Sequence, residues 1–112
     1  MKKTIVITDE FFGRGDEELG ALLMGSFLRK LCLAENLPKE IVFYNSGVKL
    51  LAEGTSPVLD AIRMLEKKGV GITACGTCIS HYGLAGKIDP ANVGDMAGII
   101  GELLSDGHVV TI

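Results

Sequence analysis

Short β-branched apolar runs alternate along the chain with longer segments that have helical periodicity. Runs that are apolar on both faces are typical of parallel strands covered by helices on each side. The pattern predicts strands at 3–8, 41–44, 70–74, 92–94 and 108–112. It predicts helices at 16–34, 57–68, 79–85 and 96–104. This alternation predicts a single α/β domain over residues 1–112, a flavodoxin-like three-layer α/β/α sandwich with a mainly parallel sheet of about five strands.

The first predicted helix is apolar on more than one face. One face carries Leu19, Leu22, Leu23, Ser26, Phe27 and Leu31, and the positions off it include Met24, Leu28, Cys32 and Leu33. A helix on the surface of a monomer would be polar on its outer face. We therefore expect this helix to pack against the sheet on one side and, on the other, either against a second subunit or inside a small core. The first alternative predicts a homo-oligomer.

Capping residues define the ends of the later helices. Ser56 and Pro57 predict an N-cap and a first helical position, and Gly69 predicts the stop of the same helix. Its buried face is expected to consist of Val58, Ala61, Ile62 and Leu65. Asp95 is expected to cap the last helix.

Composition and charge exclude several classes of partner. The net charge is −3, Trp is absent and no basic run occurs, so we expect neither nucleic-acid binding nor attachment to an anionic membrane. No apolar stretch approaches the roughly 20 residues that span a bilayer. The apolar start at 2–8 is too short for the apolar region of a signal peptide. We expect a cytoplasmic protein.

The most informative stretch is Cys75-Gly76-Thr77-Cys78, which follows the third predicted strand. Open parallel sheets bind ligands at the carboxyl ends of their strands, and a helix start there favours a thiolate. The chain has three cysteines, an odd count that argues against a disulfide framework. We expect Cys32 to be a buried packing group and the pair at 75 and 78 to be reactive.

Several chemistries are open to a Cys-x-x-Cys pair. It can cycle between dithiol and disulfide, or carry a persulfide on one sulfur. It can also supply two zinc ligands, but only His81 lies near in sequence and distant His108 would have to join, so we expect no metal and no cofactor. A thioredoxin-type pair usually has a proline between its cysteines, which is absent here. The pair can also be inert packing at a strand end.

Two charged or titratable residues have two interpretations each. His81 would lie one helical turn beyond Cys78, where it can exchange a proton or help to hold a thiolate, or it is an exposed helix residue. Lys49 lies near the carboxyl end of the second strand. It is either a cation that faces the site or a solvated surface residue.

The motifs together identify a family. The cysteine turn followed by Tyr82-Gly83-Leu84 resembles the DsrE/DsrF-like sulfur-relay family, and the resemblance extends to residues 13–20, 23–24, 43–50 and 53–54. Over nearly the whole chain the sequence is similar to the C-terminal domain of YedF-type selenium-metabolism proteins, a sulfurtransferase-like group. The resemblance implies a flavodoxin-like fold, frequent oligomers and a strand-end cysteine that carries persulfide sulfur. It matches Cys75 to that cysteine and makes Cys78 a second or resolving thiol.

The sequence departs from this family at two points. YedF-type proteins carry an N-terminal TusA-like domain that this sequence does not include. Two alternatives follow: either a separate TusA-like sulfur carrier is the partner and the relay is kept, or the function has diverged from the relay. Some relatives have an arginine where this chain has Tyr82. Activation of the thiolate must then come from the helix start, Lys49 or His81. No residue distinguishes selenium from sulfur.

The expected function is a cytoplasmic sulfur or selenium relay, sulfurtransferase-like, with the persulfide on Cys75. The alternatives are a non-catalytic oligomeric module that binds a small molecule or a protein, and a dithiol oxidoreductase. The expected catalytic residues are Cys75, Cys78 and His81. The expected substrate-binding residues are Arg14, Asn45, Lys49, Gly76 and Thr77.

Overall fold

Five parallel strands form one sheet in the computed structural model, which describes residues 3–112. The start of the apolar N-terminal run at Lys2 therefore lies outside the described residues. The strands are β1 (Lys3–Ile7), β2 (Glu40–Phe43), β3 (Gly71–Cys75), β4 (Val93–Gly94) and β5 (His108–Thr111). Their order is β4-β3-β2-β1-β5, with every neighbouring pair parallel. The predicted α/β class and the five-strand parallel sheet are confirmed.

The helices are α1 (Glu17–Leu31), α2 (Leu59–Lys67), α3 (Gly76–His81) and α4 (Met96–Leu103). Two 3-10 helices, Asn45–Leu51 and Pro90–Asn92, complete the connections. Across residues 3–112 no helix combines the length and the apolar character that crossing a membrane requires.

The helices cover the two faces of the sheet unequally. The larger core cluster joins one face of the sheet to α1 and α2, and it includes Ile7, Phe43, Leu28 and Ile62. The smaller cluster lies on the opposite face, where Ile99 of α4 packs on Val42 and Cys75. Burial on both faces explains the continuous apolar runs of β1 and β2, whereas the apolar run of β5 is exposed.

Helix α1 turns one of its two apolar stripes toward the core. Met24 and Leu28 are buried, whereas Leu22 is 70% exposed and Leu19 50% exposed. The stripe that packs inward is therefore the one with fewer leucines. The amide of Phe12 donates to the carbonyl of Gly20 at 3.0 Å, which holds the start of α1 against the loop after β1. This local contact sets the rotation of the helix, and composition alone does not reveal it.

The predicted helix ends are partly confirmed. Helix α2 begins at Leu59, two residues later than predicted, because the Ser56 hydroxyl accepts from the amide of Val58 and closes a turn before the helix. Gly69 follows the end of α2 with a φ of +96°, as a terminating glycine requires. Asp95 caps α4 by accepting from the amide of Gly98 at 2.9 Å. The predicted inner face of α2 is buried as expected.

Gly47 brings the 3-10 helix at 45–51 against the end of β1. A Cβ atom at this position would lie 2.6 Å from the carbonyl oxygen of Ile7. A larger residue would therefore push this helix away from the strand ends. This close approach fixes Asn45, the first residue of the 3-10 helix, at the edge of the sheet where β3 also ends.

Glu40 is a partly buried carboxylate at the start of β2. Burial raises its pKa, and nearby Glu102 raises it further. The hydroxyl of Thr73, which donates to Glu40 Oε2 at 2.5 Å, and the cation of Lys39 act in the opposite direction, but the pKa stays above its usual value. The folded state therefore holds this proton more tightly than the unfolded state. Stability consequently falls as the pH rises from the unfolded pKa through the folded pKa.

We predict that Glu40→Gln removes this loss of stability. Relative to the wild type, the variant should gain free energy of unfolding as the pH rises from about 4 to about 7, because glutamine does not titrate there. Urea unfolding at several pH values measures this difference. Glu53→Gln, at an exposed position, is the matched control. A difference between wild type and Glu40→Gln that stays constant with pH would contradict the assignment.

Candidate active site

The carboxyl ends of three neighbouring strands meet at one edge of the sheet. Cys75 ends β3, Asn45 follows the end of β2, and the loop after β1 begins beside them. A cavity of about 250 Å³ opens at this edge, lined by Asn45, Thr77, Cys78, His81 and Tyr82. This is the position at which open parallel sheets bind their ligands.

Cys75 lies behind the cavity and not on its wall. Its side chain is 2% exposed and packs against Val42 and against Ile99 of α4. It is also the N-cap residue of α3, so the first turn of that short helix surrounds its sulfur. The sulfur is thus screened from bulk water by α4 on one side and by Cys78 on the other.

Polar groups of α3 favour the charged form of the Cys75 sulfur. Burial raises the pKa of this thiol, but the amide N–H groups and side chains of Cys78 and Thr77 outweigh burial, and the pKa lies below its usual value. Among the described residues no conventional N-cap hydrogen bond to Cys75 Sγ is formed. These groups therefore act as dipoles directed at the sulfur, as amides at a helix start do.

Cys78 is half-buried and forms the part of the cavity wall nearest to Cys75. The main-chain N–H of Asn45 donates to Cys78 Sγ at 3.0 Å. Burial raises the pKa of Cys78, the Asn45 amide lowers it, and the hydrogen bond and charge of Cys75 raise it, so the pKa lies above its usual value. The pKa values of the two sulfurs are thus shifted in opposite directions, and Cys75 is the one of the pair that ionises first.

Asn45 holds its amide in place through an unusual backbone conformation. It is the one non-glycine residue with positive φ, +52°, among residues 3–112. Its side-chain oxygen accepts from the amide of Ser46 at 2.9 Å and from the hydroxyl of Tyr82 at 2.8 Å. These two hydrogen bonds stabilise the left-handed conformation that aims the Asn45 amide at Cys78.

Lys49 and Glu10 form an ion pair beside Tyr82. Lys49 Nζ lies 4.7 Å from the centroid of the Tyr82 ring and 3.3 Å from Glu10 Oε2. The amide of Glu10 donates to the Ser46 hydroxyl, which in turn donates to Asp9. The loop after β1 is thus tied to the same 3-10 helix that carries Asn45.

The DsrE/DsrF-like family profile matches residues 1–112, the full chain. The chain belongs to the DsrE/DsrF-like family. A search of curated proteins found no match.

Solved structures confirm the fold of the DsrE-like chain. The Methanobacterium thermoautotrophicum protein MTH1491 superposes with a TM-score of 0.68 at 20% identity, covering 98% of each chain. The ychN protein of E. coli superposes with a TM-score of 0.68 at 20% identity over 100% of both chains. The Bacteroides thetaiotaomicron protein BT1422 gives a TM-score of 0.66 at 18% identity, covering 99% of this chain and 95% of its own. At these identities the similarity concerns the fold.

The DsrE-like fold brings some of the predicted site residues together and leaves others apart. Asn45, Thr77, Cys78 and His81 share the cavity wall. Cys75 lies beneath it, and Lys49 reaches it only through the ring of Tyr82. Gly76 follows Cys75 but does not line the cavity, and Arg14 is exposed on the loop after β1, also outside the lining.

Tyr82 is the cavity residue that sequence reasoning did not place in the site. In the sequence it belongs to the motif at 82–84 that resembles the family, and it stands where some relatives have arginine. Its spacing contains a usable signal, because residues 78 and 82 are four apart and lie on the same side of a helical segment. Its contact with Asn45 spans 37 positions and is visible only in the fold.

Metal binding finds no support in the donor set. Within residues 3–112, no three His, Cys, Asp or Glu side chains are close enough together to hold a metal ion.

We predict that the backbone conformation of Asn45 limits what can replace it. Asn45→Ala should be less stable than Asn45→Gly by about 1 kcal/mol, because an alanine strains at positive φ and a glycine does not. Both variants lose the side-chain oxygen that accepts from Tyr82. The difference between their free energies of unfolding therefore measures the cost of the positive φ alone. Urea unfolding of the two variants measures it. Equal stability of the two would show that residue 45 relaxes to another conformation.

Proposed function

We propose that this protein is a sulfur carrier that holds a persulfide on Cys75. One observation carries the proposal: a buried thiol with a lowered pKa, at the end of β3, lies in contact with a second thiol on a cavity wall. A lowered pKa favours the nucleophilic thiolate form of the sulfur, and burial protects a bound persulfide from water and free thiols.

The proposed reaction is an exchange of sulfane sulfur. A donor persulfide, R–S–SH, gives its outer sulfur to the Cys75 thiolate, so that a Cys75 S–S bond forms and the donor S–S bond breaks. The donor leaves as R–S⁻, and Cys75 becomes Cys75–S–SH. An acceptor thiolate later takes the outer sulfur by the same step in reverse. No external oxidant or reductant is needed.

The cavity residues have proposed roles in this exchange. Thr77 and Cys78 stabilise the Cys75 thiolate, and Asn45 contributes its amide at the cavity wall. His81, exposed at the rim, is positioned to take or give a proton. Lys49, Arg14 and Gly76 are proposed to contribute to the approach of an anionic donor, with Lys49 acting through Tyr82.

The resemblance to YedF-type proteins supports a more specific proposal. The donor or acceptor is then a TusA-like sulfur carrier protein, and the cargo is sulfur or selenium. The proposal places the protein in the cytoplasm, where thiols and persulfide relays stay reduced.

A dithiol–disulfide couple is the second candidate function. The contact between the Cys78 thiol and the Cys75 sulfur favours it, because the two sulfurs are already neighbours. It would require both cysteines and an external oxidant, whereas a persulfide carrier requires Cys75.

We also propose that the protein forms a homo-oligomer through the exposed face of α1. Leu19, Leu22 and Leu23 are exposed there, next to a groove of about 490 Å³ that runs between α1 and the start of α2. Arg29, Asp16 and Glu18 line the same groove, so the apolar strip has charges of both signs beside it. Apolar strips with polar rims are typical of subunit contacts.

We predict that Cys75→Ser no longer retains sulfur. Wild-type protein treated with a persulfide donor and then freed of the donor should gain about 32 Da in intact mass, reversed by a reductant. After a brief chase with glutathione, Cys75→Ser should lack this mass, because sulfur on the cavity-wall residue Cys78 is open to free thiols. Cys32→Ser, at a buried position outside the cavity lining, should keep it through the same chase. Undiminished retention in Cys75→Ser would contradict a carrier on Cys75. A loss of about 2 Da that needs both cysteines would establish the dithiol couple.

We predict that Leu22→Glu shifts the protein toward the monomer. A charge placed at the most exposed leucine of the α1 face should oppose burial of that face against a second copy. Light scattering coupled to size-exclusion chromatography measures the mass in solution. Leu33→Glu, exposed just beyond the end of α1, is the control. A wild-type protein that is monomeric at micromolar concentration would contradict this proposal.

A further inference from the structure

The cysteine on the cavity wall is Cys78, whereas Cys75, the proposed sulfur carrier, is buried. Cys78 Sγ forms part of the cavity wall, whereas the Cys75 side chain is 2% exposed and lies beneath it. A donor that is larger than a few atoms meets Cys78 first. Sulfur must therefore either pass through Cys78 or reach Cys75 by displacement of α4.

We infer that Cys78 receives the sulfane sulfur from the donor and passes it to Cys75. The inference rests on the proposed carrier function and adds the route by which the sulfur arrives. Cys78 thereby becomes a catalytic residue that touches the donor. The role given to it by the family resemblance, a second or resolving thiol, is a different one.

The contacts around Cys78 suit this role. Cys78 packs against the buried cluster that contains Cys75, and its side chain lowers the pKa of the Cys75 thiol. The Cys75 sulfur is therefore placed to take the Cys78 proton as Cys78 attacks the donor. The Asn45 amide, 3.0 Å from Cys78 Sγ, stabilises the negative charge that then develops on that sulfur. Tyr82 is a positioning residue, because its hydroxyl holds the Asn45 side chain.

The two steps balance in atoms and electrons. In the first, Cys78 passes its proton to Cys75 and its sulfur bonds to the outer sulfur of R–S–SH, while the S–S bond of the donor breaks and R–S⁻ leaves. In the second, the Cys75 sulfur attacks the outer sulfur of Cys78–S–SH, and the proton of Cys75 returns to Cys78 as the Cys78 S–S bond breaks. The products are Cys75–S–SH and the Cys78 thiol, with no net oxidation of the protein.

Donor size separates this route from the alternative. Glutathione persulfide is a bulky donor, and sodium disulfide, Na₂S₂, supplies a two-sulfur donor small enough to pass the cavity wall. We expect Cys78→Ser to load Cys75 about tenfold more slowly than the wild type with glutathione persulfide, because the receiving thiol is lost. With Na₂S₂ its loading rate should be within about threefold of the wild type. Time-resolved intact mass measures both rates.

Gly101→Ala is the matched control for movement of α4. A Cβ at this exposed position meets no atom within 4 Å, and alanine stabilises a helix interior relative to glycine by up to about 1 kcal/mol. We expect this variant to load at the wild-type rate with both donors. Slower loading of Gly101→Ala with glutathione persulfide would show that sulfur arrives by opening of α4, and would overturn the inference.

Other outcomes are also decisive. Cys78→Ser loading at the wild-type rate with glutathione persulfide would overturn the inference while leaving the carrier function intact. If Cys78→Ser loaded equally slowly with glutathione persulfide and with Na₂S₂, the inference would also be overturned. Cys78 would then change the reactivity of Cys75 and would not be the route by which a bulky donor reaches it. Cys78→Ala, with no side-chain hydroxyl, repeats the comparison, and urea unfolding checks that each variant is folded. Failure of the wild type to gain about 32 Da would instead refute the proposed function itself.

Discussion

A negative charge on a buried sulfur requires donors around it, and this requirement organises the edge of the sheet. Cys75 lies between α4 and the first turn of α3, with little water to solvate it. The groups that replace water are the amides and side chains of Thr77 and Cys78. Because a buried ion without such partners is strongly unfavourable, the chain must turn directly from β3 into α3 at this residue. Cys78 in turn depends on the amide of Asn45, so the ends of β2 and β3 form one hydrogen-bonded unit.

The strain at Asn45 is stabilised by contacts from distant parts of the chain. Tyr82 and Ser46 hold its side chain, Gly47 allows the 3-10 helix to approach β1, and Glu10 ties the next loop to the same segment. Left-handed conformations outside glycine are uncommon and cluster at functional sites. Here the left-handed conformation directs the main-chain N–H of Asn45 at the sulfur of Cys78. The contacts with Ser46 and Tyr82 determine the direction in which the N–H of Asn45 points.

Much of the fold could be predicted from the sequence because the relevant forces are local. Gly69 and Asp95 act within a few residues of their position, and the β-branched run of β1 fits a strand buried on both faces. The rotation of α1 could not be predicted, since both of its faces are apolar and the contact of Phe12 with Gly20 selects between them. The placement of the cysteine pair at a strand end was visible in the sequence. The difference in exposure between Cys75 and Cys78 was not, because it depends on packing by α4.

The order of the strands has a consequence for synthesis. Strand β1 lies inside the sheet, but one of its neighbours is β5, the last strand of the chain, and their pairing joins residues about a hundred positions apart. Helix α4, which covers Cys75, also comes late. On the ribosome, β3 and the cysteine pair that follows it emerge before α4 and before the strand that completes the sheet. A nascent chain that still lacks α4 and β5 therefore presents an uncovered thiol pair beside an unpaired edge of β1, and the sulfur is sheltered from oxidants only after α4 has been made.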